Sequence, residues 1–488
     1  MPHPDGTILR DPSKLFFQSE YIRRLIIASY WVVIIAGIPL WWHITSIERL
    51  SLPTARVHAQ AGNQLRFPVQ IHLEDASLSS PLQQLMDDRI RRSPKAWEGL
   101  DVKVTTQNDA ADSYTVRATE GVPLVSERTL AYPLRSGTLP MLADTLAALL
   151  IPPTDPHRVA PYSPRYRLAF TLLNEDAAAG SAISGWDISG AISHHLSPIF
   201  NSLSVLHNFT IESQVQFHAP LAFSPVSLDQ GYGITPEDLT VFVNSAEWSL
   251  SSSVSNDPVL HFVVFIPSAA RRPLHILDSN GLPSPSSAFL LPQWGGIVIY
   301  NPPADVQTTA PFPAPALTAV FTTFAAHLLA LLGVPALPPS VSTSTSASDV
   351  LHTVPLTAWQ LDALLRARAL ENARNAQGTL ESIVSLVAQI ENMPVGRDVR
   401  GDVQGALGAL EEMYNTASLN RTLSHSATAQ TLASRAFFSP GMLALLYFPA
   451  EHKYAVYTPL FASALVPLVA TAVKEIKAWR KQRRGEVE

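Results

Sequence analysis

Two long apolar segments lie near the ends of the chain. Residues 25–42 contain no charged side chain, and neither do residues 454–473. At roughly 1.5 Å per residue, an α-helix of this length crosses a hydrocarbon core about 30 Å thick. We therefore predict one transmembrane helix over residues 25–47 and a second over residues 454–473. A cleaved signal peptide is the alternative for the first segment, but the nearest small-x-small triplet begins at Ala59, too far downstream.

Positive charge gives the two predicted spans an orientation. Six Lys or Arg residues follow the second span, and four precede the first, whereas Arg49 and Arg56 follow the first span closely. Because cytosolic flanks are enriched in Lys and Arg, we predict a cytosolic N-terminus over residues 1–24 and a basic cytosolic tail over residues 474–488. Both ends on one side require an even number of spans, so the chain between the spans is predicted to be lumenal.

Between the spans, the first part of the chain alternates strand-like and helix-like segments. Residues 67–73 alternate apolar and polar positions, the period of a half-buried strand. Residues 259–266 are almost continuously apolar, as in an interior strand that is covered on both faces. These patterns predict a lumenal α/β domain with a mixed sheet over residues 48–335. Further strand patterns lie at 101–105, 114–118, 166–173, 209–217 and 294–300, and helical patterns at 81–92, 142–150 and 185–200.

The character of the sequence then changes. Residues 336–350 are rich in Pro, Ser and Thr, which is typical of a linker. Residues 351–453 are predicted to form a lumenal helical region, in which Thr357 is an N-cap and Gln360 completes a capping box. Its helices are expected at 356–391 and 398–423. The predicted fold class is membrane-anchored α/β, with a mixed-sheet lumenal domain followed by a helical segment and flanked by two transmembrane helices.

One more apolar segment, residues 316–334, tests this topology. It contains three threonines and His327, which interrupt the apolar run. A third span would make the number of spans odd and would contradict the basic tail. We therefore predict that this segment is a buried core helix.

Composition narrows the class of function. The 488 residues include no cysteine, which excludes disulfides, thiolate metal sites and a cysteine nucleophile within the chain. The net charge of −6 gives no reason to expect nucleic acid as a partner. Charged residues make up 15% of the chain, below the roughly 25% of ordinary soluble domains. This deficit fits either a chain with segments in lipid or a well-buried globular domain.

A search for catalytic and binding motifs finds none in the sequence. There is no Gly-x-Ser-x-Gly nucleophile elbow, no His-Glu-x-x-His zinc motif and no Gly-x-x-x-x-Gly-Lys phosphate loop. His194 and His195 form a doublet, but neighbouring residues in a helix point about 100° apart and do not readily share one ligand. We predict no catalytic, cofactor-binding or metal-binding residue, and no cofactor. Two acidic pairs are interpreted as solvated surface: Asp87 with Asp88, and Asp109 with Asp112.

Two N-glycosylation sequons lie within the predicted lumenal part. They begin at Asn208 and Asn420, and each has a threonine two residues later. Both asparagines are candidate glycan acceptors. Asn420 falls within a predicted helix, which disfavours its modification.

Several short segments, in their order and spacing, resemble the PIG-S family. The similarity begins with Arg23-Arg24 before the first apolar run and extends to the second predicted span and its basic tail, so it covers essentially the full chain. The segments are Ile38-Pro-Leu-Trp-Trp42, Trp294-Gly-Gly-Ile297, Tyr300-Asn301-Pro302, Leu446-Tyr-Phe-Pro449, Lys453-Tyr454-Ala455, Pro459-Leu460-Phe461, Val466-Pro467-Leu468 and Lys477-Ala-Trp-Arg480.

The resemblance implies a non-catalytic subunit of the GPI transamidase, which attaches GPI anchors to proteins in the lumen of the endoplasmic reticulum. It implies a role in assembly or substrate handling, while a separate caspase-like subunit carries the catalytic cysteine. The implied partners are that caspase-like subunit, PIG-T-like, Gaa1-like and PIG-U-like subunits, and lipids of the endoplasmic reticulum membrane. The implied location is that membrane, as a two-pass protein with both termini cytosolic and the large domain lumenal.

Two alternatives stay open from the sequence. The first alternative to a transamidase subunit is a membrane-anchored lumenal enzyme of another type. The second is a cargo adaptor that acts outside the transamidase. Acidic or histidine side chains that converge in a pocket would favour the enzyme. Copurification with a cysteine-protease-like subunit would argue against the adaptor.

Overall fold

The computed structural model describes residues 19–45, 48–106, 113–151, 159–180, 182–250, 255–303, 310–343, 356–390, 393–443 and 450–483. Some predictions fall on the remaining residues. Asp109, Asp112, the second half of the predicted linker and the segment that begins at Leu446 lie outside the described residues.

The described residues form an alternating series of helices and strands. A π-helical turn, Ile192–Leu196, joins α5 to α6. The α-helices are α1 (Glu20–Thr45), α2 (Thr54–Ala61), α3 (Ala76–Arg92), α4 (Leu139–Leu150), α5 (Ile188–Ala191), α6 (Ser197–Ser202), α7 (Pro236–Thr240), α8 (Ala314–Leu331), α9 (Ala358–Gln389), α10 (Arg397–Asn415), α11 (Leu419–Phe437), α12 (Pro440–Leu443) and α13 (Ala450–Arg483). The strands are β1 (Phe67–Leu73), β2 (Leu100–Thr105), β3 (Tyr114–Ala118), β4 (Leu124–Ser126), β5 (Thr129–Tyr132), β6 (Arg165–Asn174), β7 (Asn208–Gln216), β8 (Val226–Leu228), β9 (Gly231–Ile234), β10 (Val259–Ile266), β11 (Leu274–Ile276), β12 (Ala288–Leu291), β13 (Gly295–Ile299) and β14 (Ser342–Thr343).

The chain divides into two compact units. The terminal unit consists of Met1–Gly62, Ala376–Gly408 and Ala429–Glu488. The central unit consists of Asn63–Asn375 and Ala409–Thr428. One boundary between them follows Gly62, and the other three fall within α9, α10 and α11.

The first sheet of the central unit has the strand order β14-β4-β5-β3-β1-β2. Strands β1, β2, β3 and β5 are parallel, and β4 is antiparallel to β5. Helices α3 and α4 bury Leu82, Met86 and Leu146 in the core beside this sheet. Strand β14 lies within the predicted linker and pairs with β4.

The second sheet of the central unit has the strand order β12-β13-β10-β6-β7. Strands β6, β7, β10 and β13 are parallel and β12 is antiparallel, so the predicted mixed sheet is confirmed. On one face, Phe321 of α8 stacks on Phe170, with ring centroids 5.6 Å apart. On the other face, Phe265 meets Phe242 at 5.2 Å. Cover on both faces explains why β10 is almost continuously apolar.

Helix α8 contains the third apolar segment of the sequence. It is long and apolar enough to cross a membrane by length and composition, but 33% of it is buried. Its buried residues form one stripe, because they recur every three or four positions. As the sequence predicts, this segment is a helix of the core. The stripe consists of Leu317, Val320, Phe321, Phe324, Leu328 and Leu331.

Arg49 connects the chain after α1 to the end of α9 within the terminal unit. Its guanidinium donates from Nη1 to the Ile390 carbonyl at 3.2 Å and from Nη2 to the Val387 carbonyl at 2.7 Å. The last carbonyls of a helix lack intrahelical partners and attract cations. The backbone beside Arg49 also pairs with Val395. These contacts give a structural reason for the cation that follows the first predicted span.

Two helix boundaries differ from the sequence prediction. Helix α3 begins at Ala76 rather than residue 81, because Asp75 caps it by accepting from the Ser77 amide at 3.0 Å. The helix expected over 398–423 ends at Asn415, and α11 begins at Leu419. Between them the Thr416 hydroxyl accepts from the Ser418 amide at 3.4 Å, a local bond that competes with helix continuation.

Candidate functional sites and family membership

A buried polar network joins the start of α9 to the first sheet. The Tyr114 hydroxyl on β3 donates to Asp362 Oδ2 at 2.8 Å and accepts from Arg366 Nη1 at 2.8 Å. Arg128 closes the network by donating from Nε to Asp362 Oδ2 at 2.9 Å. The Trp359 ring lies 4.1 Å from the Tyr114 ring. The network therefore fixes this helix on the sheet through both hydrogen bonds and ring contact.

The network contains one carboxylate, that of Asp362, and two guanidinium groups, those of Arg128 and Arg366, so its charges do not cancel. Asp362 is 5% exposed and Arg366 7% exposed, and burial raises the pKa of the Tyr114 hydroxyl above its usual value. Because a tyrosine held in the neutral form donates a hydrogen bond, it satisfies the buried carboxylate without adding charge. Among the described residues, Arg366 Nε and Nη2 have no hydrogen-bond partner. The network acts as a structural anchor, because the hydrogen bonds that Tyr114 and Arg128 donate to Asp362 tie α9 to the first sheet.

The N-terminal capping box of α9 is confirmed. The Thr357 amide donates to Gln360 Oε1 at 3.0 Å, and the Gln360 amide donates to Thr357 Oγ1 at 3.3 Å. The Gln360 side chain also donates to the Pro335 carbonyl at 2.7 Å. The cap therefore also holds Pro335, the residue that precedes the predicted linker.

A cavity of about 330 Å³ lies beside α9 in the central unit. Its wall contains four cations and two carboxylates, and each carboxylate is paired: Glu371 with Arg368 and Glu98 with Arg374, both at 2.7 Å. The other two cations are Lys95 and Arg366. Its described wall includes no Ser, Thr or His, so the polar side chains of the wall are these six charged groups.

His194 and His195 lie in the π-helical turn before α6. Their rings are 4.8 Å apart and nearly perpendicular, and His195 also faces the Phe321 ring at 6.4 Å. Burial, followed by the charge of His194, lowers the pKa of His195. Among the described residues, no group of three or more His, Asp or Glu side chains is placed to hold a metal ion.

The described acidic pair lies on α3. Asp87 Oδ1 accepts from Gln83 at 2.7 Å, and Asp88 forms an ion pair with Arg91. Hydrogen bonding to Arg91 lowers the pKa of the exposed Asp88 carboxyl. Arg89 turns away from this pair and binds Asp144 of α4 at 2.6 Å. These contacts are those of a charged helix surface with one ion pair to a neighbouring helix.

The two sequons differ in their surroundings. Asn208 is exposed at the first position of β7, an edge strand, and Thr210 is also exposed. Asn420 is exposed in the first turn of α11, but Thr422 is 3% exposed. The Thr422 hydroxyl donates to the Ser418 carbonyl at 3.0 Å. The sequon at Asn208 is therefore open at both of its recognised positions, and that at Asn420 is not.

Two adjacent glycines allow β13 to fit the second sheet. A Cβ at Gly295 would lie 1.9 Å from the His261 carbonyl oxygen on β10, and a Cβ at Gly296 would lie 2.2 Å from His327 Nδ1 on α8. The preceding Trp294 ring stacks on the His261 ring at 4.6 Å. The sequence singles out Trp294-Gly295-Gly296 only through resemblance, because close approach to a carbonyl on another strand leaves no periodic pattern.

An ion pair joins the outer ends of the two terminal helices. Arg23 of α1 donates from Nε to Glu475 Oε1 of α13 at 2.6 Å, and the Glu475 side chain is 12% exposed. The N-terminal end of α1 therefore meets the C-terminal part of α13, so the two helices are antiparallel. Helix α1 is long and apolar enough to span a membrane over Tyr21–Leu40, with none of that segment buried.

Together these features describe an α/β body with a helical C-terminal part and long helices at both ends. The buried polar side chains of the Tyr114 network anchor α9 to the first sheet. The chain belongs to the PIG-S family. The family model of "Phosphatidylinositol-glycan biosynthesis class S protein" matches residues 28–123 and 147–482. The matched residues therefore include most of α1, the second sheet, the first sheet except β4 and β5, and nearly all of α13.

The chain is similar to proteins of animals and yeast that are named as GPI transamidase components. The human GPI-anchor transamidase component PIGS is 30% identical over an alignment 537 residues long. The alignment covers 93% of this chain and 96% of the human protein. The mouse component of that name is 35% identical over 68% of this chain and 61% of the mouse protein. The GPI transamidase component PIG-S homolog of Schizosaccharomyces pombe is 28% identical, over 95% of this chain and 85% of its own length.

Proposed function

We propose that this chain is a non-catalytic subunit of the GPI transamidase, in which it supports assembly or substrate handling during GPI-anchor attachment. The observation that carries the proposal is the family match over residues 28–123 and 147–482, which includes most of both terminal helices and most of the body between them. The human relative, which bears the name of a transamidase component, matches over 96% of its length. A role in the complex therefore rests on nearly the whole chain rather than on one shared module.

The proposed location is the membrane of the endoplasmic reticulum, with two spans, cytosolic termini and a lumenal body. The Arg23–Glu475 ion pair supports this topology, because it requires the start of α1 and the end of α13 to lie on one side. The six Lys or Arg residues after residue 473 favour the cytosol for that side. The proposed partners are the caspase-like, PIG-T-like, Gaa1-like and PIG-U-like subunits.

The absence of cysteine from the sequence supports a non-catalytic role in a complex whose proposed nucleophile is a cysteine. The Tyr114 network anchors α9 to the first sheet, and the charged cavity beside α9 offers a surface for binding. In the described wall of the cavity, both carboxylates are already paired with arginines. These observations favour a structural or substrate-handling subunit over an independent lumenal enzyme.

Depletion of the chain from its own cells tests the proposed function. A GPI-anchored reporter is expected to disappear from the cell surface and to accumulate as uncleaved precursor. The control is the same reporter ectodomain on an ordinary transmembrane anchor, which should reach the surface unchanged. Normal anchoring of the GPI reporter after complete depletion would overturn the proposal and favour the cargo adaptor or the unrelated enzyme.

A lumenal body also predicts a glycan on Asn208. Its sequon is exposed, so Asn208→Gln is expected to remove the one electrophoretic shift that endoglycosidase treatment produces. Asn420→Gln is the matched control and should leave that shift unchanged, because Thr422 is buried and hydrogen-bonded. A glycan-free parent protein in glycosylating cells would contradict the lumenal placement of Asn208.

A further inference from the structure

Helix α13 continues well beyond the apolar segment that is predicted to span the membrane. That segment ends at Val473, whereas the helix ends at Arg483. Ten further residues therefore form a helical extension about 15 Å long. An extension of this length reaches from the edge of the hydrocarbon core through the headgroup region, which accounts for several ångströms on each side of a bilayer.

The extension carries five cations and one carboxylate. Lys474, Lys477 and Lys481 recur at helical spacing and share one exposed face. Arg480 and Arg483 are also exposed. Two further acids, at positions 486 and 488, follow only after Arg483 and lie outside the described residues.

The single carboxylate of the extension is already used. Glu475 accepts from Arg23 Nε at 2.6 Å and is largely buried against α1. The Glu475 carboxylate is therefore paired with Arg23 and not with the neighbouring lysines. The lysine face keeps its positive potential, which extends about 8 Å at physiological ionic strength.

Aromatic and aliphatic side chains occupy the side of the extension opposite the lysine face, since successive residues in an α-helix are about 100° apart. Ile476 is 51% exposed and Trp479 is 44% exposed, and the Arg483 guanidinium lies 4.6 Å from the centre of the Trp479 ring. Tryptophan and arginine side chains of this kind settle at the headgroup level, where an apolar body and a polar tip are both satisfied. The extension therefore has both parts of a membrane-surface helix, apolar contact and positive charge.

We propose that the extension 474–483 binds anionic phospholipid headgroups of the cytosolic leaflet through Lys474, Lys477 and Lys481. Basic clusters directly beside a transmembrane helix attract such lipids. The proposal rests on the two-pass topology of the proposed function but goes beyond it, because it assigns a ligand to residues outside the lumenal body. The contact would hold the paired helices α1 and α13 at a fixed depth in the membrane.

The absence of cysteine makes the test direct. Ala478→Cys places a single thiol beside the lysine face, and an environment-sensitive fluorophore on it reports access of acrylamide, a neutral quencher. The full-length chain is compared in phosphatidylcholine nanodiscs and in nanodiscs that also contain phosphatidylinositol. Quenching is expected to be roughly twofold weaker with the anionic lipid, and this difference should vanish in about 1 M salt, where screening acts within 3 Å.

Charge removal completes the test. With Lys474→Gln, Lys477→Gln and Lys481→Gln together, both nanodiscs should give the same quenching. The matched control replaces Lys95 and Lys103, which lie in the proposed lumenal body, by glutamine and should keep the difference. Equal quenching of the parent chain in both nanodiscs, or a difference that survives the triple substitution, would overturn the proposal. The measurement needs no other subunit, so its outcome is independent of whether the chain functions in the transamidase.

Discussion

Individual side chains anchor the start of α9 to the first sheet. With one hydroxyl Tyr114 bonds a buried carboxylate and one nitrogen of a buried guanidinium, and Arg128 shares the same carboxylate. The sequence shows Thr357 and Gln360 as a capping box because their spacing is local. It does not show Tyr114, Asp362 and Arg366 as partners, because about 250 residues separate β3 from α9 and no local pattern connects them.

Removal of the Tyr114 hydroxyl should weaken this anchor. Tyr114→Phe keeps the ring against Trp359 but leaves Arg366 Nη1 without its acceptor, so we expect a loss of about 1–3 kcal/mol in unfolding free energy. Tyr132→Phe is the matched control on β5, since the Tyr132 hydroxyl makes no hydrogen bond to the described residues; it should change stability by less than about 0.5 kcal/mol. Denaturant unfolding of the full chain measures both. Equal effects of the two substitutions would contradict the anchoring role.

At the scale of elements, the sequence predicts the longer strands better than helix ends. It does not predict the described strands of two to four residues, which are β4, β5, β8, β9, β11, β12 and β14. Strands β1, β3 and β10 have the predicted bounds, because alternation or a continuous apolar run is a local signal. The sequence prediction places one helix across the break between α10 and α11, because apolar residues at helical spacing continue on both sides of it. Asn415, Thr416 and Ser418 are the local signal that indicates the break. The π-helical turn at His194 has no counterpart in the sequence pattern.

The Gly295 position should not tolerate a side chain. Gly295→Ala places a Cβ against the His261 carbonyl, and because backbone cannot yield as a flexible side chain does, β13 must separate from β10. We expect a loss of roughly 3 kcal/mol in unfolding free energy. Gly185→Ala is the control, since a Cβ there meets nothing within 4 Å. A Gly295→Ala protein with the melting temperature of the parent would show that the two strands are not paired this closely.

At the scale of the whole molecule, buried histidines tie stability to pH. His207 is 2% exposed, and its Nδ1 lies 2.6 Å from the Ser163 carbonyl. Burial, with a smaller effect of Arg368, lowers the pKa of His207 from 6.5 to about 4. Burial and Arg167 likewise lower the pKa of His261 to about 4. Both rings are neutral in the folded protein at neutral pH.

This difference fixes the sign of the pH dependence. Between pH 6.5 and 4 the unfolded chain binds protons at these histidines and the folded chain does not, so stability falls as the pH is lowered through this window. His207→Gln should reduce the slope by up to about 1.4 kcal/mol per pH unit. His58→Gln, at an exposed position of α2, is the control. Denaturation midpoints measured across this range give the slope, and an unchanged slope in His207→Gln would contradict a neutral buried ring.

Membership of the PIG-S family and the position of the terminal helices support the proposal that the chain is a membrane subunit whose lumenal body assembles with the other subunits of a larger enzyme. The most direct test is purification of the tagged full-length chain from microsomes in mild detergent, with copurifying proteins quantified by mass spectrometry. The account predicts the caspase-like and PIG-T-like subunits in amounts close to that of the chain. Recovery of the chain without them, under conditions that keep a known transamidase intact, would contradict it.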